Sequence, residues 1–317
     1  MSNTLDTSRN NLLKAMQDMG VVIALAVLVV VLSIVSPEFR TFDNMMSLMR
    51  QSAINGLIAF GMTCVILTGG IDLSVGSVLA LTAAITAYLI KGGMAAGLAM
   101  LIGLIIGGIF GLISGVLVTK GRLQPFIATL ITMTVYRGLT MVFTNGIPIS
   151  GLGNSGLISF IGKGFILGVP FPVIIFLAIF ALMAFVLSKT TFGRRVYATG
   201  SNSVAAKLAG VNIDRTKLYV YIISGVLAAL AGLILISRLN SAQPTLGQGY
   251  ELDAIAAVAL GGTSMNGGRG RIWGTFVGVL IIAVLSNGLN ILGISSYYQA
   301  VVKGVVILIA VLSDRKR

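Results

Sequence analysis

The sequence predicts an all-α polytopic membrane protein of about ten transmembrane helices, with a short capped helix on the cytoplasmic side. Its 317 residues are 56% hydrophobic and 10% charged, with a mean hydropathy of +1.00, whereas an ordinary soluble domain has about 25% charged residues. Apolar runs long enough to cross a bilayer recur along the whole chain. Basic residues gather in alternate connections between these runs, as expected of a membrane protein.

The apolar runs give ten candidate spans, since a crossing helix needs roughly 20 apolar residues. The first follows a polar tail with Arg9 and Lys14, and no small-residue cleavage pattern comes after it, so we expect an uncleaved anchor helix. The third and eighth are short, which favours a discontinuous or tilted path there. The ten spans are 20–36, 50–68, 75–91, 93–118, 125–144, 165–187, 217–237, 252–264, 272–292 and 297–312.

Charge predicts the orientation of these spans. With the amino terminus inside, fifteen of the 22 lysines and arginines fall on the cytoplasmic side and five fall outside, which follows the positive-inside rule. Both termini are then cytoplasmic, with tails 1–19 and 313–317 flanking one membrane domain, 20–312. The net charge of +13 is typical of loops lying against an anionic inner membrane, and no nucleic-acid partner is expected.

Composition argues against catalysis by this chain. It contains no histidine, and its one cysteine, Cys64, lies inside an apolar run, so we expect no metal site, no cofactor and no internal disulfide. Neither paired intramembrane carboxylates nor a nucleophile motif is present, which leaves a membrane enzyme as the weakest hypothesis. No GxxxxGKS or GxxxxGKT sequence occurs, so any ATP must be bound by another polypeptide.

One acidic residue interrupts the apolar pattern. Asp72 lies in Thr68-Gly-Gly-Ile-Asp-Leu-Ser-Val-Gly-Ser77, between two apolar runs. A charge there is costly unless it is paired or faces water, and the glycines allow a helix break. We therefore expect Asp72 to belong to the working machinery. Either Arg137 or Lys303, both within spans, is a candidate partner.

Polar side chains within other spans define a candidate pathway. Polar residues at helical spacing face either a water-accessible route or a partner helix, and the sequence leaves both interpretations open. The residues concerned are Thr129, Thr132, Tyr136 and Thr140 in the fifth span, and Asn287 and Asn290 in the ninth. A different pattern, Gly103, Gly107, Gly111 and Gly115 in the fourth span, predicts close approach of another helix.

The inner loop 188–216 predicts a short capped helix. Asn202 or Ser203 suits its N-cap, Val204–Ala209 is compatible with helix, and Gly210 is placed to end it. Such a helix on the basic side favours a docking element, and an ordered linker is the alternative.

Three stretches resemble the permease family for sugars and branched-chain amino acids in ATP-binding cassette (ABC) importers. They are Gly69-Gly-Ile-Asp-Leu-Ser-Val-Gly76, the loop from Gly193-Arg-Arg-Val-Tyr-Ala-Thr-Gly200 to Gly210, and Tyr250-Glu-Leu-Asp-Ala-Ile-Ala-Ala-Val-Ala-Leu-Gly-Gly-Thr263. Arg238–Tyr250 and Gly293–Leu312 are similar to the ribose branch. The resemblance spans nearly the whole chain after the amino-terminal tail.

The resemblance implies a multi-pass inner-membrane subunit that works as a homodimer and imports ribose or a related monosaccharide. It implies a cytoplasmic ABC ATPase that hydrolyses ATP and a periplasmic sugar-binding protein. The inner helix would be the coupling helix, with Ser201, Asn202, Ala205, Ala206 and Gly210 at the ATPase. We expect the outer arginines Arg40, Arg50 and Arg238 to meet carboxylates of the binding protein. An ion-coupled secondary transporter, with Asp72 as the coupling carboxylate, is the alternative.

Overall fold

The computed structural model describes residues 20–152 and 156–314, so the predicted tail 1–19 and Arg315–Arg317 lie outside it. The described part is helical, with only four two-residue strands. A 3₁₀ turn, Pro37–Arg40, precedes α2. The helices are α1 (Gly20–Val35), α2 (Phe42–Leu67), α3 (Val75–Lys91), α4 (Ala96–Thr119), α5 (Pro125–Thr144), α6 (Gly156–Lys163), α7 (Phe171–Lys189), α8 (Thr191–Ser201), α9 (Ser203–Leu208), α10 (Ile213–Leu239), α11 (Tyr250–Leu260), α12 (Ile272–Ile291) and α13 (Ser296–Asp314).

The strands form two antiparallel pairs that lie in the connections on the predicted outer side. β1 (Ile149–Ser150) pairs antiparallel with β4 (Ser241–Ala242). β2 (Phe165–Ile166) pairs antiparallel with β3 (Val169–Pro170) just before α7. The first pair joins the loop after α5 to the chain that leaves α10.

Helices α2 and α10 form the centre of the molecule. Their most apolar windows are 89% and 78% buried, against 33% or less for α4, α5 and α7. The peripheral helices leave large apolar side chains exposed, among them Ile105, Leu130 and Leu182. In hydrocarbon such an outer face is the expected arrangement, because every backbone polar group of a helix is satisfied internally.

Every predicted span contains a described helix, but six of the described helices are long and apolar enough to cross a membrane. Three apolar helices are shorter, namely Gly20–Val35, Val75–Lys91 and the stretch Ser296–Ile309 of α13, and α11 has 11 residues. Two predicted starts differ most from the structure. Helix α2 begins earlier, at Phe42, because the Thr41 hydroxyl caps its first turn; α7 begins later, at Phe171, because 165–170 form the β2–β3 hairpin.

The glycine repeat of α4 faces α10, and the predicted close packing is confirmed. A Cβ atom at Gly107 would collide with the Ala229 side chain, and one at Gly111 would collide with the carbonyl of Tyr221. The two helices approach so closely that only glycine fits at these points.

A re-entrant segment, Gln243–Gly249, explains why α11 is short. After α10 and β4 the chain runs inward without helical structure, and α11 begins at Tyr250. A Cβ at Gly247 would lie 2.6 Å from the carbonyl oxygen of Gly76. Gly76 lies about 22 Å along α3 from that helix's end at Lys91, given the rise of an α-helix. The re-entrant segment therefore reaches deep into the bundle.

Candidate functional site

Asp72 lies in the helix break that joins α2 to α3, and it is 1% exposed. Its Oδ1 accepts hydrogen bonds from the backbone N–H of Ser74 at 3.0 Å and from the Ser74 hydroxyl at 2.6 Å. Its Oδ2 accepts from the hydroxyl of Ser224, on α10, at 2.8 Å. These bonds fasten the start of α3 to the central helix α10. The described partners of Asp72 are therefore serines.

The two candidate cations bond elsewhere. Lys303 on α13 forms an ion pair with Asp253 on α11, with Nζ and Oδ2 2.8 Å apart. The Nη1 atom of Arg137 donates to the carbonyls of Pro244 and Leu246 in the re-entrant segment, at 3.0 and 2.8 Å. Lys303 thus links α13 to α11, and Arg137 links α5 to the re-entrant segment just before α11.

The polar stripe of α5 faces other helices. Its four members, at most 3% exposed, are Thr129, Thr132, Tyr136 and Thr140. Thr129 donates to the carbonyl of Ile71 at 3.0 Å, and Tyr136 donates to that of Phe110 at 3.1 Å. Thr132 accepts from Ser114 at 3.1 Å, and Thr140 donates to the Tyr136 carbonyl at 2.7 Å. Thr129, Thr132 and Tyr136 thus bond to chain outside α5, whereas Thr140 bonds within it. Sugar contact by these residues stays a prediction.

The two asparagines of α12 differ in their surroundings. Asn287 and Asn44 of α2 exchange a pair of side-chain hydrogen bonds, at 3.1 and 2.7 Å. Asn290 is exposed and is the next-to-last residue of α12. A pathway role for either residue is a prediction that these contacts leave open.

The three outer arginines are unequally accessible. Arg40 is exposed on the turn before α2. The guanidinium of Arg50 lies 4.9 Å from the centroid of the Phe165 ring, and Arg238 donates to Gln51 at 3.4 Å. Both of these arginines are half-buried, so Arg40 is the most available for a partner.

The predicted capped inner helix is present as α9. The Asn202 side chain accepts from the backbone N–H of Ala205 at 3.0 Å, and Gly210 follows with a φ of +82°. Ala205 is exposed but Ala206 is buried, at 5% exposure. The exposed apolar side chains of α9, Val204 at 69% and Leu208 at 85%, were missed from the sequence. These two residues are four positions apart, and that spacing could have predicted that they share one face of the helix.

Helix α8 joins α9 to the helix break. The Tyr197 hydroxyl donates to the carbonyl of Gly270 at 3.0 Å, and Ser201 donates to that of Gly268 at 3.4 Å. The N–H of Gly268 in turn donates to the carbonyl of Leu67, the last residue of α2, at 2.9 Å. Burial raises the pKa of Tyr197. These hydrogen bonds therefore link α8 through Gly268 to the end of α2, five residues before Asp72.

Comparison with known proteins gives a consistent set of relatives. The family model for the permease component of the branched-chain amino acid transport system matches residues 44–311. The ribose import permease protein of Bacillus subtilis is 58% identical over 302 residues, covering 95% of this chain and 94% of the relative. That of Escherichia coli K12 is 50% identical over 297 residues, covering 93% and 92%. The D-allose transport system permease protein of the same strain is 41% identical over 298 residues, covering 93% and 91%. No solved structure matches the chain at a significant level.

Proposed function

This chain belongs to the family of branched-chain amino acid transport system permease components, and on that premise we propose that it is the membrane subunit of an ABC importer for ribose. The observation that carries the proposal is the 58% identity to a ribose import permease over 95% of the chain. The subunit supplies a gated path in the inner membrane, and a separate ATPase subunit hydrolyses ATP. Ion coupling through Asp72 is not favoured, because relatives over this length are import permeases.

The partners follow from the same proposal. A cytoplasmic ABC ATPase docks on α9, where Val204, Ala205 and Leu208 are exposed between the caps Asn202 and Gly210. A periplasmic sugar-binding protein docks on the opposite side, with Arg40 as its most accessible cation. A second copy of the chain completes the pathway. Both termini are cytoplasmic, and ten helices, including the short α1, α3, α11 and α13, cross or enter the membrane.

The mechanism uses the chain of contacts that begins at α9. ATP-driven movement of the docked ATPase displaces α8 and α9, and the Gly268–Leu67 hydrogen bond carries the displacement to the end of α2. Asp72, in the helix break before α3, fixes the start of α3 to α10. Its hydrogen bonds therefore resist tilting of α3 relative to α10. In this scheme the α5 stripe and Asn287 hold helices together around the pathway.

Reconstitution tests the proposal. The chain, its ATPase and the ribose-binding protein are placed in proteoliposomes, and uptake of radiolabelled ribose is measured with and without ATP. We expect uptake that requires ATP, the ATPase and the binding protein together. Uptake that persists without ATP and is driven by an ion gradient would show a secondary transporter instead.

A further inference from the structure

The backbone of the re-entrant segment is held in place by polar contacts inside the bundle. Arg137 binds two of its carbonyls from α5. Glu251 accepts a hydrogen bond from the N–H of Gly249 at 3.2 Å, and Gly247 lies against Gly76 at the start of α3. Three elements therefore fix this irregular stretch at depth. Backbone without helical hydrogen bonds is tolerated there only where protein or a water-filled cavity surrounds it.

The polar side chains of the same segment take no part in these contacts. Gln243, Thr245 and Gln248 are exposed, whereas Pro244, Leu246 and Gly247 are buried. The hydrogen bonds described for the segment are made by its backbone, by Arg137 and by Glu251, so the two amides and the hydroxyl are free to bind another molecule. Exposed amides facing hydrocarbon would be costly. The surface they form must therefore face water or a polar ligand.

We infer that Gln243, Thr245 and Gln248 form a contact surface for the hydroxyl groups of a pentose on its way through the membrane. This inference rests on the proposed function and names the site that the substrate meets. An amide offers one acceptor and two donors, and a hydroxyl offers both, which matches the hydroxyls of a neutral sugar. Three flexible neutral groups bind weakly enough for release, as a pathway requires. Arg137 is a positioning residue, because it acts on the backbone of the segment.

A transport measurement tests the role in the reaction. The double variant Gln243→Leu, Gln248→Leu is compared with Gln124→Leu. Gln124 is an exposed glutamine at the N-cap of α5, outside the re-entrant segment. We expect the double variant to lower ATP-driven ribose uptake about tenfold, the effect of losing one or two neutral hydrogen bonds. Its stability in detergent and its binding of the ATPase and of the binding protein should stay at parental levels. Gln124→Leu should behave as the parent in every assay.

An accessibility measurement tests the location without using transport. Gln248→Cys and Leu182→Cys are treated with a charged, membrane-impermeant thiosulfonate; the native Cys64 is fully buried. Leu182 is 53% exposed on α7 and serves as the lipid-facing control. We expect Gln248→Cys to react and Leu182→Cys to stay unreactive.

The outcomes separate the two proposals. Parental uptake of ribose combined with undiminished uptake by the double variant would overturn the inference and leave the proposed function intact. An unreactive Gln248→Cys would overturn it as well. If the parental complex fails to carry ribose, the proposed function fails, and with it the assignment of a pentose to this surface.

Discussion

At the scale of single residues, Asp72 shows how a buried carboxylate is stabilised here by serines. Its two oxygens accept three hydrogen bonds, from the Ser74 backbone and hydroxyl and from the Ser224 hydroxyl. Hydrogen bonds to an ionised acceptor are roughly twice as strong as neutral ones. The side chain therefore acts as a fastener between the helix break and α10.

We predict that Asp72→Asn inserts into the membrane but loses most of its ribose uptake. The amide has a single acceptor oxygen, so it cannot accept from both Ser74 and Ser224 as the carboxylate does. Ser224→Ala should reproduce part of the loss, with about 1 kcal/mol of destabilisation. The matched control is Ser237→Ala, also on α10, whose hydroxyl bonds only within its own helix, to Leu233. Parental uptake rates in Asp72→Asn would show that the charge has no role.

The ion pair between Asp253 and Lys303 gives a second prediction. Lys303→Met leaves a buried carboxylate without its cation and should lower the free energy of unfolding by about 3–5 kcal/mol. Adding Asp253→Asn removes the uncompensated charge, so the double variant should recover most of that loss. Thermal unfolding in detergent measures both, and Lys91→Met, at an exposed lysine, is the control. A double variant as unstable as Lys303→Met would contradict the pairing.

At the scale of elements, α9 distinguishes a docking face from a supporting one. Its Leu208 is 85% exposed, while its Ala206 is 5% exposed. An apolar side chain exposed on a capped helix is the kind of residue that anchors a protein interface. The helix has 6 residues, too few to be stable alone, since roughly 12–15 are marginal in water.

We therefore predict that Leu208→Glu releases the ATPase while the permease still reaches the membrane. Ala206→Glu should instead lower the amount of folded permease, because the new charge would be buried against its own chain. Co-purification of the ATPase, together with the yield of folded protein, separates the two effects. Leu167→Glu, at a 99% exposed leucine on the β2–β3 hairpin, is the matched control. Full retention of the ATPase by Leu208→Glu would show that α9 is only a linker.

Local features of this chain were predictable from sequence, and long-range ones were not. The caps Asn202 and Gly210 and the glycine face of α4 depend on neighbours in sequence, so spacing alone was enough. The bond between Asp72 and Ser224 joins residues 152 positions apart, and an unremarkable serine gives no signal of it. Hydropathy also failed at Phe165–Pro170, because a hairpin of apolar residues and the start of a helix have the same composition.

The re-entrant segment was missed for a related reason. Gln243–Gly249 is polar and glycine-rich, which is also typical of a surface loop. Only the contacts with Arg137 and Gly76 place it inside the bundle. The arginine was visible within its span, but its partners are carbonyl groups, which every residue carries, so no residue type could have identified them.

At the scale of the whole molecule, the arrangement of charge predicts one orientation. Ten of the seventeen described basic residues lie in or next to the connection between α4 and α5, the connection that holds α8 and α9, and the loop between α11 and α12. They include the exposed Arg194, Arg195 and Arg269. The opposite side carries the two strand pairs and few cations. An anionic inner leaflet attracts basic segments by about 1 kcal/mol for each Lys or Arg near its surface. This arrangement of charge therefore favours an orientation with α9 in the cytoplasm.

We predict accordingly that a reporter fused after Arg317 is cytoplasmic and that one inserted at the hairpin tip, between Leu167 and Gly168, is periplasmic. Alkaline phosphatase is active only after export, so it should be inactive at the carboxyl terminus and active at the hairpin. Green fluorescent protein should give the reverse pattern. Reversing Arg194 and Arg195 to glutamate should weaken this preference, because it removes two of the charges that hold the inner loop. Phosphatase activity at the carboxyl terminus of the unaltered chain would place α9 outside the cell, where no ATPase could reach it.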